Sequence, residues 1–271
     1  MLDKSLKNIF PGRPKRIAPI DIAFKRSVGS SLIDNVTTFI SKSFQDLKQI
    51  GLTKITVGLS GGVDSSVCAW LFHKIIPDKS FAVIVDFGIK EDRDFSIKIA
   101  EEIGIEYKII DAKQILDDHL QSFHTNSVLA RIHLRSRIIN DLIFQVADNE
   151  SAAVIDTTDK SELLLARHAE SFMGHIAPLS DLYKSEVYDM AEYFLLREVK
   201  EKEPGCPDLL DKDAFGVEWE TLDKILYLFT EHKLSTSDIS SKYQIDPQWL
   251  EKIEKRLLNQ HLRVETKRLL L

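Results

Sequence analysis

The run GLSGGVDSS at residues 58–66 contains the residue types that most clearly indicate chemistry in this sequence. It follows a short β-branched segment and precedes a helical pattern, so its adjacent glycines, Gly61 and Gly62, offer open backbone N–H groups beside the positive end of a helix. Asp64 would repel a bare phosphate but favours one that carries Mg²⁺. The run therefore predicts a loop that binds the phosphates of a metal-bound nucleotide.

The run lacks the features of two other nucleotide-binding motifs. It is not a Walker loop, because no GKS or GKT follows, and it is not a dinucleotide fingerprint, because GxGxxG is missing. A tight strand-to-helix turn with a serine cap is the structural alternative. The GVDSS extension favours the nucleotide interpretation over this turn.

The surrounding pattern alternates strands with helices. Strands are predicted at residues 54–59, 81–87, 106–111 and 152–157, and helices at residues 31–50, 64–76, 91–104 and 127–147. This alternation implies right-handed crossovers and an α/β fold with a doubly wound parallel sheet covered on both faces. Ligands bind such sheets at the carboxyl ends of the strands, which is where the glycine-rich run falls.

The chain is long enough for one α/β domain with a small appendage, at 271 residues. We expect a single domain over residues 1–271, with an irregular N-terminus at 1–16 and a loop followed by helices at 203–271. Residues 238–258 have the pattern of a helix–turn–helix unit, for which packing is favoured over DNA recognition.

Composition excludes several classes of protein. A formal net charge of −6 argues against nucleic acid as the main partner, and 44% hydrophobic residues argue against a disordered chain. Cys68 and Cys206 are too far apart in sequence to suggest a disulfide framework or a cysteine-built zinc site. No segment has the apolar run that a signal peptide or membrane span needs, so we expect a cytoplasmic protein without a membrane partner.

The GLSGGVDSS run resembles the pyrophosphate loop of the N-type ATP pyrophosphatases, which include NAD synthetase, GMP synthetase, asparagine synthetase and tRNA-modifying enzymes. The segments TTDKSELLL (157–165) and PLSDLYKSEV (178–187) resemble signatures of NAD synthetase in particular. The resemblance implies a Rossmann-like sheet of the adenine nucleotide alpha-hydrolase type. It also implies an enzyme that forms an adenylate from ATP and releases pyrophosphate.

The resemblance assigns roles to individual residues. Asp64 and Lys184 are the implied catalytic residues, and Asp64 and Glu162 are the implied Mg²⁺ ligands. The implied ATP contacts are Gly58, Leu59, Ser60, Gly61, Gly62, Val63, Asp64, Ser65, Thr157 and Lys184. RSRIINDL (135–142) and NQHLR (259–263) resemble substrate-binding segments, and the implied contacts to the acid substrate are Arg135, His175, His261 and Arg263.

The sequence departs from NAD synthetases on the acceptor side. Family members carry a GYFTKxGDG stretch, whereas this chain has ARHAESFMGHIAPL (166–179), with His175 or a neighbour at the aspartate position and His168 on its other side. The acidic loop after EPGCPDLL (203–210) is short, and Leu262 replaces a lysine. ATP-side motifs are retained, so the adenylating part is expected to be complete and the pocket for the second substrate to be reshaped.

The function implied is that of an ammonia-dependent NAD synthetase-like ligase that adenylates deamido-NAD with Mg-ATP and amidates it. No glutaminase domain fits in the chain, so nitrogen comes as free ammonia or from a separate subunit, and the family implies a homodimer. Three alternatives stay open: a ligase for a different carboxylic acid, a catalytically impaired ATP-binding relative, and a tRNA-modifying adenylase. For the last, the chain offers neither a clear basic surface nor paired cysteines.

Overall fold

A computed structural model describes Leu6 and residues 9–123, 127–166, 174–196, 198–206 and 208–259. Its strands are β1 (Lys54–Gly58), β2 (Ser80–Asp86), β3 (Glu106–Asp111), β4 (Ala152–Val154), β5 (Gly205–Cys206) and β6 (Leu209–Leu210). Its helices are α1 (Ser30–Lys48), α2 (Val63–Ile75), α3 (Lys90–Ile103), α4 (Lys113–Phe123), α5 (Val128–Glu150), α6 (Lys160–Leu165), α7 (Lys184–Tyr193), α8 (Asp211–Phe215), α9 (Trp219–Thr230), α10 (Thr236–Tyr243) and α11 (Pro247–Asn259).

The main sheet has four parallel strands in the order β3-β2-β1-β4. Both of its faces are covered, and this is visible in β2: Ala82 and Ile84 pack in the core formed with α1, α2, α3 and α7, while Phe81 and Val83 pack against α5. Successive side chains of a strand point to opposite faces, so a strand buried on both faces is apolar throughout. The predicted doubly wound parallel sheet is confirmed.

The order of the strands places a crevice beside β1. From β1 the chain moves to β2 and β3 on one side, and it then crosses back through α4 and α5 to add β4 on the other side. The connections that leave the carboxyl ends of β1 and β4 therefore diverge. Such a switch point is where open α/β sheets bind ligands.

The C-terminal helices form a second apolar cluster together with the irregular N-terminal segment. Phe10 and Ile20 pack with residues of α8, α9, α10 and α11. The indole N–H of Trp249 donates to the carbonyl oxygens of Gly12, at 2.6 Å, and Phe215, at 3.0 Å. The helical pair at residues 238–258 buries Ile239, which agrees with a packing role.

The predicted elements match the structure closely, with local differences. The strand expected over 152–157 ends at Val154, because the Asp156 carboxylate accepts hydrogen bonds from both the N–H and the hydroxyl of Thr158 and so holds a turn. Helix α4 and the small antiparallel hairpin of β5 and β6 were not predicted. None of the described helices is both long and apolar enough to cross a bilayer.

Candidate active site

The turn between β1 and α2 is shaped to receive an anion. Gly61 has a φ of +75°, and a Cβ there would lie 2.6 Å from the ring of Phe95, so both the backbone and the space favour glycine. No side chain caps the first turn of α2 at Gly62. The N–H groups of that turn have no partners within the helix, and together with the helix dipole they form a binding surface for phosphate.

The serines of the turn hold its shape. The Ser65 hydroxyl donates to the carbonyl oxygen of Gly62 at 3.0 Å and lies 3.2 Å from the hydroxyl of Ser60. Leu59 and Val63 are buried, so what they can offer a ligand is main chain rather than side chain. A Cβ on Gly58 would lie 2.4 Å from Cδ1 of Ile143, which shows how closely α5 packs on the end of β1.

Lys184 lies at the centre of three carboxylates beside this turn. Its Nζ is 2.6 Å from Asp64 Oδ2, 2.8 Å from Asp159 Oδ2 and 3.3 Å from Glu162 Oε1. We call Asp64, Asp159, Glu162 and Lys184 the carboxylate–lysine cluster. The resemblance had assigned three of its members, Asp64, Glu162 and Lys184, and the structure brings all three together.

Burial and charge oppose one another in the carboxylate–lysine cluster. Burial raises the pKa of Asp64 to about 6, although the Lys184 ammonium acts to lower it. Burial also raises the pKa of Asp159 well above its usual range, again against the attraction of Lys184. For Lys184, burial acts to lower the pKa, but the surrounding carboxylates outweigh it and the pKa is raised, so the lysine stays charged.

A second layer of hydrogen bonds fixes where Lys184 begins its helix. The backbone N–H of Lys184 donates to the Ser161 hydroxyl at 2.9 Å, and that of Ser185 donates to Asp223 Oδ2 at 2.8 Å. The Ser161 hydroxyl in turn donates to Asp223 Oδ1 at 2.6 Å. Cations are unfavourable at helix N-termini. Here the neighbouring carboxylates compensate for the position of Lys184 in the first turn of α7.

The buried Asp223 gives a testable dependence of stability on pH. Burial raises its pKa to about 6, although the hydrogen bonds from Ser161 and Ser185 act to lower it. The folded state therefore binds a proton that the unfolded state has released between about pH 4 and pH 6. In this range the free energy of unfolding falls as the pH rises, by about 2 to 3 kcal/mol for this group.

We expect Asp223→Asn to remove this contribution, because the amide does not titrate. Urea unfolding at several values between about pH 4 and pH 7 measures it. As the pH rises through this range, the free energy of unfolding of the unsubstituted protein should fall relative to that of the variant. Parallel pH profiles for the two proteins would contradict the assignment.

The carboxylate–lysine cluster opens into a cavity of about 630 Å³ at the switch point of the sheet. This volume is in the range of cofactor-binding pockets. The cavity is lined on one side by the glycine turn, with Ser60 and Gly62, and on the other by Thr157, which follows β4. Lys202 also faces it, and its Nζ donates to the carbonyl oxygen of Ser60 at 2.7 Å.

The carboxylates of the cluster are a suitable donor set for a divalent cation. One oxygen from each of Asp64, Asp159 and Glu162 lies within 4.8 Å of the others. Asp64 Oδ1 is buried, and no hydrogen bond reaches it from the described residues, while the buried Asp159 Oδ2 has the Lys184 ammonium as its ion-pair partner. Oxygen ligands of this kind suit Mg²⁺. Asp64 and Glu162 line the cavity itself and are placed to share a cation with a ligand there.

Of the residues predicted to contact the acid substrate, the structure places one in the cavity and one outside it. Arg135 lines the cavity and forms an ion pair with Asp208, beside the hairpin of β5 and β6. His175 does not line the cavity. Its Nδ1 accepts the N–H of Val154 at 3.0 Å and so provides a hydrogen-bond acceptor for a backbone donor at the edge of β4. His168, His261 and Arg263 lie outside the described residues.

Sequence reasoning missed Asp159, Asp208 and Asp223. Asp159 is followed three residues later by Glu162, and this spacing is the signature of a capping box that the structure contains. That signal was available in the sequence. The contacts of Asp208 with Arg135 and of Asp223 with Ser161 join residues more than 60 positions apart. No local sequence pattern predicts contacts of this kind.

Together, the switch-point cavity, the glycine turn and the carboxylate–lysine cluster define an ATP-dependent enzyme of the adenine nucleotide alpha-hydrolase fold. The model of the NAD synthase family matches residues 32–266, and the chain belongs to this family of ATP-dependent carbon–nitrogen ligases.

Individual relatives agree with this assignment. The chain is 28% identical over 235 residues to the NH(3)-dependent NAD(+) synthetase of Pyrococcus furiosus, covering 83% of this chain and 91% of that protein. Its fold is similar to the structure of the NH3-dependent NAD synthetase of Campylobacter jejuni, with a TM-score of 0.73, 21% identity and coverage of 89% and 98%. It is also similar to the NMN synthetase of Francisella tularensis, with a TM-score of 0.74, 20% identity and coverage of 88% and 97%.

Proposed function

We propose that this chain is an ammonia-dependent NAD synthetase that converts deamido-NAD to NAD⁺ with Mg-ATP. The observation that carries the proposal is the carboxylate–lysine cluster, with Lys184, Asp64 and Glu162 beside an anion-binding turn in one cavity. Membership of the NAD synthase family supports the choice of reaction. The motifs that match NAD synthetases lie on the ATP side of this cavity.

The reaction proceeds in two steps. A carboxylate oxygen of the acid attacks the α-phosphorus of ATP, the bond from that phosphorus to the β-bridging oxygen breaks, and pyrophosphate leaves. Ammonia then attacks the carbonyl carbon of the adenylate, AMP leaves with the electron pair of the broken C–O bond, and the nitrogen loses a proton to give the amide. No step requires a nucleophile from the protein.

The residues of the site contribute positioning and charge stabilisation. The backbone N–H groups of Gly61 and Gly62 and the hydroxyl of Ser65 hold the departing pyrophosphate, and Lys184 offsets its charge. The N–H of Gly62 donates to the Ser60 hydroxyl at 3.3 Å in the structure and would turn to the phosphate. Asp64 and Glu162 would hold Mg²⁺, which when bound neutralises phosphate charge and orients the triphosphate. Thr157 contacts the nucleotide from the end of β4, which completes the ATP site implied by the resemblance.

The acid substrate is assigned to the side of the cavity near Arg135. Arg135 is paired with Asp208 in this structure, so an anionic substrate group would have to compete with Asp208 for the guanidinium. His261 and Arg263 remain proposed substrate contacts on the strength of the resemblance alone. His175 is left out of this assignment because its ring lies at the edge of the sheet.

A coupled assay tests the proposal directly. The purified protein is incubated with ATP, Mg²⁺ and ammonia, with and without deamido-NAD, and NAD⁺ and AMP are quantified by chromatography. We expect both products in equal amounts, and only when deamido-NAD is present. Pyrophosphate release that deamido-NAD does not stimulate would overturn the choice of substrate.

A second candidate function is amidation of a different carboxylic acid. The departures on the acceptor side favour it, and the fold alone does not select the acid, since an NMN synthetase shares it. The same assay with nicotinate mononucleotide and simple aromatic acids separates the candidates. ATP binding without AMP production for any acid would indicate a catalytically impaired relative.

The proposal extends to assembly and location through the family resemblance. We propose a homodimer that works in the cytoplasm on free ammonia. The two cysteines are not paired with each other, which agrees with a reducing compartment. Light scattering on the purified protein, with and without ATP, tests the dimer, and a monomer under both conditions would contradict it.

A further inference from the structure

The three carboxylates around Lys184 differ in their access to the cavity. Asp64 and Glu162 line it, and their side chains are 20% and 22% exposed. Asp159 does not line the cavity, and its side chain is 0% exposed. Two of the three carboxylates can therefore turn toward a bound ligand, while Asp159 is confined to the protein side of the lysine.

The position of Asp159 is fixed by its own helix. As the N-cap of α6, it accepts the N–H of Glu162 through Oδ1 at 2.8 Å, and Glu162 reaches back to the N–H of Asp159. This leaves Oδ2 aimed at the Lys184 ammonium, 2.8 Å away, and no hydrogen bond reaches that buried oxygen from elsewhere in the described structure. The bond from the backbone N–H of Glu162 therefore sets the orientation of the Asp159 side chain whether or not the Glu162 carboxylate turns to a ligand.

We propose that Asp159 is a positioning residue that retains the Lys184 ammonium when Asp64 and Glu162 bind a divalent cation. Lys184 contacts all three carboxylates in the structure and so would compete with a cation for two of them. With Asp159 as a fixed partner, the lysine withdraws from Asp64 and Glu162 without losing all of its pairing. The lysine and the cation then coexist in one small volume.

The charges of the occupied cluster support this division of roles. Three carboxylates match the combined charge of one ammonium and one divalent cation, whereas two carboxylates leave an excess positive charge. Without Asp159, the lysine and the cation would share only Asp64 and Glu162. The inference rests on the metal site of the proposed function, but not on its acid substrate.

The test is a set of Mn²⁺ titrations that count free Mn²⁺ by electron paramagnetic resonance. Asp159→Asn keeps the oxygen that caps α6 and removes the charge beside Lys184. We expect it to weaken Mn²⁺ binding by about 10- to 100-fold, the usual effect of losing a supporting residue behind metal ligands. Unchanged Mn²⁺ affinity would overturn the proposal.

A double substitution separates positioning from direct ligation. If Asp159 acts by holding Lys184, then adding Asp159→Asn to a Lys184→Met background should leave Mn²⁺ affinity unchanged within about threefold, because no lysine remains to compete. If Asp159 is instead a metal ligand, the substitution weakens binding equally in both backgrounds, and the proposal is wrong.

Two further variants serve as a second test of the proposal and as a control. Asp159→Ser retains an N-cap without a carboxylate and should reproduce the loss of Mn²⁺ affinity, which keeps the test valid should the asparagine variant fold poorly. Glu231→Gln removes a carboxylate at the end of α9 that lies 2.9 Å from Lys160 of α6 and does not line the cavity, and it should leave Mn²⁺ binding unchanged. None of these titrations depends on the acid substrate, so failure of the proposed reaction and failure of this inference are distinguishable.

Discussion

Asp64→Asn is expected to lower AMP and pyrophosphate production by about 1,000-fold or more, at the upper end of what loss of one charge-stabilising group costs. Asparagine preserves the shape of the side chain at the first turn of α2 but removes its charge. Asp64 is the carboxylate closest to Lys184, at 2.6 Å, and one of the two cluster carboxylates facing the cavity. Mn²⁺ titration should show weakened metal binding in parallel.

A matched control for this variant lies at the end of a neighbouring strand. Asp111→Asn changes a carboxylate at the carboxyl end of β3, where it accepts the N–H of Lys113 at 3.0 Å and does not line the cavity. Its turnover should stay within about twofold of the unsubstituted protein, as for a surface change. Substantial turnover by Asp64→Asn would refute the assignment of this residue to the nucleotide-bound metal.

Lys184→Met is expected to affect both activity and stability. Activity should fall by about 100- to 1,000-fold, because among the described residues Lys184 alone places a cation at the centre of the cluster. The side chain of Lys184 is only 3% exposed, and removing one partner of a buried ion pair costs about 3 to 5 kcal/mol. Urea unfolding in the absence of divalent cations measures the second effect.

The effect of Mg²⁺ on the stability of Lys184→Met is a further test of this prediction. With the lysine gone, a divalent cation is the remaining counter-charge for the three carboxylates, so Mg²⁺ should stabilise the variant more than the unsubstituted protein. Lys160→Met, on the neighbouring helix, removes a lysine whose partners Glu231 and Asp181 are more exposed, and should cost about 1 kcal/mol or less. A Lys184→Met protein as stable as Lys160→Met, with or without Mg²⁺, would show that the cluster contributes little to folding.

The sequence was sufficient for the parts of the fold that depend on local order. Short β-branched and apolar runs alternating with helical patterns predicted β1 to β4, and β3 was predicted with the same ends that the structure has. The glycine turn could also be predicted from local sequence, because the residues that form it are nine consecutive positions, 58–66. Glu162 and Lys184 were found through short motifs, although their meeting with Asp64 depends on the sheet bringing β1 and β4 side by side.

What the sequence could not predict depends on distant packing. Asp159 was passed over because an aspartate before a helix has the pattern of a simple cap, and only the tertiary structure adds Lys184 beside it. Arg135 was predicted as a substrate contact, but its ion pair with Asp208 requires the hairpin of β5 and β6, which was not predicted. His175 matched a substrate position in sequence, while in the fold its ring accepts the N–H of the buried Val154 at the edge of the sheet.

The contact between the N-terminal segment and the C-terminal helices has a consequence for how the protein is made. Trp249 and Gly12 are joined by a hydrogen bond across 237 positions, and Phe10 packs with residues of α8 and α11. During translation, Phe10 and Ile20 therefore leave the ribosome long before α8 to α11, the helices that cover their apolar side chains. The parallel sheet can form earlier, so closure of the helical cluster is expected to be the late event in biosynthesis.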